Sequence, residues 1–193
     1  MIEPVPARIE PFFSPRPWGA RSLAPYFPEK TNLKEPLGEA WLTSMDRPVA
    51  NGPFAGRSLG ESWRAMPEEW RGTHLSQYCG FPLLVKFIFP CDMLSIQVHP
   101  DDGYAAKHEQ AAGGRGKTEM WHILSAQHGA ELLIGLKPGV TKEIFRESIA
   151  KGNVEDLFLR HTVRPEETYF CLQARNTPSG PAWFFVKCRN TRI

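Results

Sequence analysis

The sequence predicts a mainly β fold, an antiparallel barrel or sandwich into which short helices are inserted. Runs rich in apolar and β-branched residues recur along the chain between turn residues, as in FPLLVKFIF at 81–89 and MLSIQVHP at 93–100. The helical patterns are short and do not alternate regularly with the strands. A parallel sheet built from βαβ units is therefore not expected, and antiparallel pairing is.

The strand patterns suggest which segments pair. Residues 81–89 and 93–100 are predicted to form a hairpin-like pair across the turn at 90–92. Residues 117–126 and 130–136 are predicted to form a second pair across Gln-His-Gly. The predicted strands in chain order lie at 37–44, 81–89, 93–100, 117–126, 130–136 and 166–170.

Two helical patterns complete the predicted fold. The segment SLGESWRAMPEEWRG at 58–72 has the composition of a helix that ends at Gly72. The segment VTKEIFRESIAKG is a better-defined helix, because Thr141 can cap its start and Gly152 can end it. The apolar face of this helix is predicted to consist of Ile144, Phe145, Ser148 and Ile149.

Composition limits the classes of function. The chain has 193 residues, with 23 basic and 21 acidic side chains and a net charge of +2, which fits one domain and indicates no clustered basic face for nucleic acid. No apolar run approaches the ~20 residues of a membrane span, and the N-terminal MIEPVPARIEPFF does not have the pattern of a signal peptide. The cysteines form no C-x-x-C pair, so we expect reduced thiols in a cytoplasmic protein. They are Cys79, Cys91, Cys171 and Cys188.

A candidate metal site begins at Gln97 and His99. These residues are two apart on a predicted strand, so their side chains point to the same face. Imidazole nitrogen and amide or carboxylate oxygen are ligands for zinc and related divalent metals, and Glu119 is the candidate third ligand because a carboxylate has no packing role at the start of an apolar strand. A hydrogen-bonded structural histidine is the alternative. Turn, structural or exposed roles are expected for Asp101, Asp102, His108 and His122.

Several motifs give the chain a resemblance to a known family. LSIQVHPDD, GKTEMW and PLLVKF, together with RPWGARSLA, GEAWLTS, GLKPGVTKE and EETYF in the same order, resemble the type I phosphomannose isomerases in their short bacterial form. The resemblance covers residues 11–170. It implies a cupin fold, a small antiparallel barrel, and an enzyme that interconverts mannose 6-phosphate and fructose 6-phosphate through a cis-enediol.

The resemblance also implies roles for individual residues. One zinc ion would be bound by Gln97, His99 and Glu119, together with a later histidine. The phosphosugar substrate would contact Lys86, Ser95 and Lys117, and Lys117 is also the catalytic candidate. The alternatives are a solvated role for Lys117, which flanks a glycine-rich loop, and a surface role for Lys86. An unpaired ammonium inside the apolar strand of Lys86 would be costly, which favours a functional role there.

The resemblance ends after Phe170. It therefore divides the chain into an isomerase-like cupin domain at 1–170 and an aberrant tail at 171–193. The family continues with a turn similar to VPAGTxHAxG, whose histidine is the fourth metal ligand, and later with a catalytic arginine. Restoring one nucleotide before the codon of Cys171 can encode VPAGTQHPIGPGL, which suggests a reading-frame shift, with a naturally divergent tail as the alternative. Beyond Gln173 we expect turns and coil, no fourth ligand and weak or no isomerase activity.

The sequence leaves more than one function open. The first is a zinc-dependent aldose–ketose isomerase acting on a small phosphosugar. The alternative is a non-catalytic cupin fragment that binds a metal or a sugar. An iron-dependent cupin dioxygenase is disfavoured because such sites usually rely on more histidines than the single one of Q-x-H. The sequence makes no prediction about oligomeric state.

Overall fold

The structure is a computed structural model in which the chain forms two compact units. Unit 1 is Met1–Phe89 and unit 2 is Pro90–Ile193. All strand pairs between the described strands are antiparallel, which confirms the predicted mainly β class. None of the described helices is long and apolar enough to cross a membrane. The structure describes residues 4–75, 78–109, 116–171, 175–177, 180–182 and 185–192, with only the backbone described for Val98 and beyond Cys171.

Unit 1 contains a three-stranded sheet with strand order β1-β2-β3 and two short helices. The predicted helix at 58–72 is divided in two, because Pro67 lacks the N–H that a continuous helix needs and is instead the N-cap of the second helix. Ser58 and Glu61 form a capping box at the start of the first helix. The elements are β1 (Phe12–Ala20), β2 (Leu37–Trp41), β3 (Lys86–Ile88), α1 (Leu59–Ala65) and α2 (Glu68–Arg71).

One face of the sheet of unit 1 packs in the apolar core, and the other carries Glu39. Ala40 lies opposite Phe13 on β1 and opposite Phe87 on β3, and these side chains belong to the apolar core. Because side chains alternate along β2, Glu39 points to the other face. The buried carboxylate of Glu39 therefore lies on the face of the sheet opposite the side chain of Ala40 and does not enter the core. The rest of the core consists of Ala20, Leu23, Phe27, Leu33, Leu37 and Phe89.

Gly38 lets the side chains of β1 pack directly over β2. A Cβ at position 38 would lie 2.5 Å from Cβ of Arg16 and 2.6 Å from the ring of Trp18. Gly19 makes an equally close approach, since its Cβ would lie 2.4 Å from the carbonyl carbon of Leu37. Both glycines are therefore required by close packing between β1 and β2.

Unit 2 has a four-stranded sheet with strand order β4-β11-β6-β7 and two separate strand pairs, β5-β8 and β9-β10. The strands are β4 (Gln97–Val98), β5 (Glu119–His122), β6 (Ser125–Leu136), β7 (Phe158–Thr162), β8 (Thr168–Cys171), β9 (Arg175–Thr177), β10 (Gly180–Ala182) and β11 (Phe185–Arg192). The helices are α3 (Asp102–His108) and α4 (Lys142–Lys151). A small core around Leu133 and Phe158 lies beneath α4, which contributes Phe145.

The ends of α4 are confirmed, whereas its predicted apolar face is partly wrong. The side chain of Thr141 accepts a hydrogen bond from the N–H of Ile144, and Gly152 ends the helix in the left-handed conformation. Phe145 contacts the core and Ser148 is buried. Ile144 and Ile149 are 41% and 56% exposed, so the buried stripe is narrower than the sequence pattern indicated.

The predicted strand partners are wrong. Strand β3 pairs with β2 and β4 pairs with β11, so residues 81–89 and 93–100 do not pair as a hairpin. Strand β5 pairs with β8, while β6 pairs with β7 and β11. The predicted turn before Ala130 lies inside the long strand β6, where Gly129 has a φ of 76° and the pairing register with β11 shifts. This segment is a bulge rather than a turn.

The backbone beyond Gln173 differs from the expected coil. Strand β11 pairs with β6 from Val186–Ile134 to Arg192–Ser125, and with β4 through Phe185 and Val186. The segment WFFVKC that precedes and enters this strand is rich in aromatic and β-branched residues, which favour a strand. The open edges of β4 and β6 supply backbone groups that need partners. Strand β11 of the tail therefore joins β4 and β6 through backbone pairing.

Replacing Gly38 by alanine tests the close packing of unit 1. We expect Gly38→Ala to lower the free energy of unfolding by about 1–3 kcal/mol, because the new methyl group overlaps Arg16 and Trp18. Urea unfolding followed by tryptophan fluorescence measures the change. Gly103→Ala in α3 is the matched control, since its Cβ would meet only Asp101 Oδ1, at 3.4 Å. Equal stability of Gly38→Ala and the wild type would contradict the packing described here.

Candidate active site

The residues predicted to bind a metal lie in unit 2, and two of them meet. Nε2 of His99 lies 3.3 Å from Oε2 of Glu119. The backbone explains this approach, because the N–H of Lys117 donates a hydrogen bond to the carbonyl of Pro100, at 3.3 Å. That bond joins the segment before β5 to the end of the Q-x-H segment. Nζ of Lys117 in turn lies 2.7 Å from Oε1 of Glu119.

The imidazole of His99 has an unsatisfied buried nitrogen. Although Nε2 is close to Glu119, the alignment is not that of a hydrogen bond, and this atom has no hydrogen-bond partner within the described structure. A buried polar atom without a partner is costly, so native proteins rarely keep one without a function. An imidazole nitrogen beside a carboxylate oxygen is a donor set that suits zinc. The residues present therefore fit a divalent metal.

Glu119 stays charged although it is largely buried. Burial raises its pKa, but the contacts with His99 and Lys117 outweigh that effect and lower the pKa to about 2. The indole Nε1 of Trp121 also donates a hydrogen bond to Oε2, at 3.2 Å. The two carboxylate oxygens are used differently, since Lys117 contacts Oε1 while His99 and Trp121 face Oε2.

Cys171 lies directly opposite Glu119 in the β5–β8 pair. Its thiol is buried, and burial together with the charge of Glu119 raises its pKa to about 11. No group of three or more His, Cys, Asp or Glu residues in the described part of the chain has the spacing to hold a metal ion. That Cys171 is not a metal ligand stays a prediction.

Gln97 and Ser95 are exposed in the described structure. Gln97 belongs to β4 and pairs through its backbone with Val186 of β11. The predicted convergence of Gln97 with His99 and Glu119 on one metal ion stays a prediction, as does the contact of Ser95 with substrate.

Lys86 lies in unit 1, where it is paired rather than free. Its Nζ lies 2.9 Å from Oε1 of Glu39, and Nη2 of Arg16 lies 3.1 Å from Oε2. The indole Nε1 of Trp41 donates a hydrogen bond to the same Oε2, at 3.0 Å. We call these four residues, Arg16, Glu39, Trp41 and Lys86, the Glu39 cluster. The prediction that Lys86 contacts the substrate phosphate stays open, and its ammonium already has a carboxylate partner.

Glu39 is the functional candidate that the sequence interpretation missed. Only 5% of this residue is exposed, and it lies in the middle of the apolar strand β2. Burial raises its pKa, but the hydrogen bond and charge of Lys86, the hydrogen bond from Trp41 and the charge of Arg16 lower it below the ordinary value. The signal that could have found it is the one used for Glu119, a carboxylate inside an apolar strand.

His122, His108 and Asp101 make contacts that fit the structural and turn roles expected from the sequence. Nδ1 of His122 lies 2.9 Å from the hydroxyl of Thr168 on the neighbouring strand. His108 packs on Tyr104 with 4.3 Å between ring centres. Asp101 caps α3 by accepting a hydrogen bond from the N–H of Tyr104, at 2.6 Å.

Comparison with known families identifies the class of protein. The model of the type I phosphomannose isomerase catalytic domain matches residues 8–147, which is more than half of the chain. The chain therefore belongs to the type I phosphomannose isomerase family.

Individual relatives agree with this assignment. The probable mannose-6-phosphate isomerase GmuF of Bacillus subtilis is 36% identical over 192 residues, covering 97% of this chain and 56% of that protein. The crystal structure of the mannose 6-phosphate isomerase from Bacillus subtilis matches with a TM-score of 0.75 and 30% identity, covering 96% of this chain and 59% of that one. This match confirms the cupin-type fold, while closure of a barrel stays a prediction.

A more distant structure shares the fold alone. The mannose 6-phosphate isomerase from Salmonella typhimurium, bound to its substrate F6P and a zinc atom, matches with a TM-score of 0.57 and 14% identity. It covers 96% of this chain and 68% of that one. The present chain spans little more than half the length of the Bacillus subtilis relatives.

The lowered pKa of Glu39 predicts how stability depends on pH. A carboxyl group whose pKa is lower in the folded chain than its ordinary 4.5 stabilises the fold above that value and loses this contribution as the pH falls toward the folded-state pKa. We expect Glu39→Gln to be less stable than the wild type at pH 7, and the difference to shrink below pH 4.5. Urea unfolding at a series of pH values measures it.

The matched control for this measurement is Glu131→Gln. Glu131 forms a more exposed ion pair with Arg160, at 3.0 Å, and should contribute little to stability at any pH. A stability difference for Glu39→Gln that stays constant from pH 7 into the acid range would contradict the assigned role of its charge.

Proposed function

We propose that the chain is a metal-dependent aldose–ketose isomerase that interconverts mannose 6-phosphate and fructose 6-phosphate. Membership of the type I phosphomannose isomerase family supports the reaction class. The observation that carries the proposal for this chain is the buried Nε2 of His99, which lies 3.3 Å from Oε2 of the charged Glu119. An imidazole nitrogen beside a carboxylate oxygen is a donor pair that a catalytic metal can use.

The proposed metal ligands are Gln97, His99 and Glu119, with one zinc ion as the expected metal. Catalytic zinc sites commonly have three protein ligands and an open position. Zinc, when bound, supplies a Lewis acid that stabilises negative charge on the sugar oxygens. The zinc-bound relative from Salmonella typhimurium is consistent with this choice of metal for the fold.

The chain's own residues would bind and orient the sugar and handle its protons. The reaction moves a proton between C1 and C2 of the opened sugar through a cis-enediol, so negative charge develops on the neighbouring oxygens. The ammonium of Lys117, held at 2.7 Å by Glu119, can donate hydrogen bonds to such an oxygen and is the proposed catalytic residue. Lys86, Ser95 and Lys117 are the proposed contacts for the phosphate end, whose binding would orient the reacting carbons.

Substitution of the proposed ligands tests metal binding and catalysis together. We expect His99→Ala and Glu119→Gln each to lower isomerisation of mannose 6-phosphate by at least about 100-fold and to lower zinc content in parallel. Zinc is measured by mass spectrometry of the purified chain, and activity by fructose 6-phosphate formation. His122→Ala is the matched control, because that histidine binds Thr168 on the same strand pair.

Two outcomes would contradict the proposal. Full activity of His99→Ala would remove His99 from the site. Zinc binding by the wild type that depends on His99 and Glu119, without any isomerisation, would favour the non-catalytic metal-binding cupin instead.

The tail at 171–193 is proposed to limit activity. It has no His, Asp or Glu after Cys171, whereas the restored reading frame would supply the family's histidine. We expect a chain with the restored frame to have higher zinc affinity and higher isomerase activity than the present chain. Both proteins are assayed side by side with mannose 6-phosphate. Equal activity would mean that the tail as it stands suffices and that a divergent tail is the better interpretation.

A further inference from the structure

The Glu39 cluster carries more positive than negative charge. Its carboxylate contacts two cations, Lys86 at Oε1 and Arg16 at Oε2. A third donor, the neutral indole of Trp41, also contacts Oε2. The cluster therefore has a surplus of one positive charge beside a carboxylate that can accept little more. A surplus positive charge that solvent reaches attracts a dissolved anion.

Both cations retain donors that an anion could use. An ammonium group has three N–H donors and a guanidinium has five. Within the described structure, Lys86 donates to Glu39, and Arg16 donates to Glu39 and to the carbonyl of Pro15, at 3.3 Å. The side chains of Arg16 and Lys86 remain 40% and 21% exposed. Solvent, and hence a dissolved anion, can reach them.

The positions of the two cations are fixed by the sheet. Lys86 lies directly opposite Trp41 in the β2–β3 pair, and both side chains reach the same carboxylate. The base of the Arg16 side chain packs against Gly38, where a Cβ would come within 2.5 Å. Arginine and lysine held in this way suit phosphate, because one provides a planar fork of donors and the other a point charge.

We infer that Arg16 and Lys86 form a phosphate-binding subsite and that Glu39 is the positioning residue that holds both cations. The ligand class is a phosphate dianion, either inorganic phosphate or the phosphate group of a sugar phosphate. The choice of a sugar phosphate rests on the proposed function. The roles of Arg16 and Glu39 go beyond it, because that proposal assigns no role to either residue.

Calorimetric titration of the full chain tests the subsite directly. The ligands are inorganic phosphate, mannose 6-phosphate and unphosphorylated mannose. We expect Arg16→Gln to weaken binding of both phosphate ligands about tenfold, since a charge-assisted hydrogen bond is lost, and to leave mannose binding unchanged. Arg16→Lys should recover part of the affinity. The matched control is Arg160→Gln, which breaks another arginine–glutamate pair.

Variants of Glu39 separate positioning from net charge. Glu39→Gln raises the surplus charge, so a purely electrostatic attraction predicts tighter phosphate binding, whereas loss of positioning predicts weaker binding. Glu39→Asp keeps the charge but draws the carboxylate back, so positioning again predicts weaker binding and electrostatics predicts no change. We expect weaker binding of both phosphate ligands by each variant. Unchanged or tighter binding by Glu39→Asp would overturn the positioning role.

Activity measured on the same samples keeps the two proposals apart. If the chain binds phosphate in an Arg16-dependent way but does not isomerise mannose 6-phosphate, the subsite stands and the proposed function fails. If the chain is active and Arg16→Gln leaves both phosphate affinities unchanged, the subsite is overturned and the function stands. In an active chain we expect Arg16→Gln to raise KM with little change in kcat. Binding of inorganic phosphate without mannose 6-phosphate would identify free phosphate as the ligand.

Discussion

The candidate active site depends on keeping the buried carboxylate of Glu119 charged. Burial alone favours the neutral acid, and the ammonium of Lys117 and the imidazole of His99 reverse that preference. Because the charge is needed to hold Lys117 in place, the carboxylate and the lysine stabilise each other within β5 and the loop before it. Burial, together with the same charge, raises the pKa of the Cys171 thiol across the strand pair. One carboxylate thus contacts both Lys117 and His99.

Unit 1 contains the same arrangement around Glu39. In both units the glutamate is followed two residues later by a tryptophan, in GEAW and TEMW. Side chains two apart on a strand share a face, and in each case the indole N–H donates to the carboxylate, from Trp41 to Glu39 and from Trp121 to Glu119. In each case a lysine contacts the other oxygen, Lys86 in unit 1 and Lys117 in unit 2. In both units the Glu-x-Trp pattern therefore supplies one of the hydrogen bonds that a buried, charged carboxylate on a strand needs.

Local features of the fold could be predicted from the sequence, and non-local ones could not. Thr141 and Gly152 set the ends of α4 through contacts within a few residues, so the sequence pattern was sufficient. The choice of strand partners depends on residues far apart in the chain, and the pairing of β5 with β8 rather than β6 has no local signal. At the site, the Q-x-H pattern and an isolated carboxylate located His99 and Glu119. The partner of Lys86 was missed because Glu39 lies 47 residues away on another strand.

The two carboxylate oxygens of Glu119 have different partners, which explains why a glutamate suits that position better than a glutamine. Oε1 is occupied by Lys117, and Oε2 faces the unpaired nitrogen of His99. A carboxylate accepts hydrogen bonds on both oxygens at once. A glutamine would place its NH₂ group, a donor, against either the ammonium of Lys117, which is itself a donor, or Nε2 of His99, the proposed metal-binding atom. Lys117 can therefore keep its contact with Oε1 while Oε2 and Nε2 of His99 face a position that a cation could occupy. This separation would let the proposed metal ion and the proposed catalytic ammonium of Lys117 share one residue without competing for the same atom.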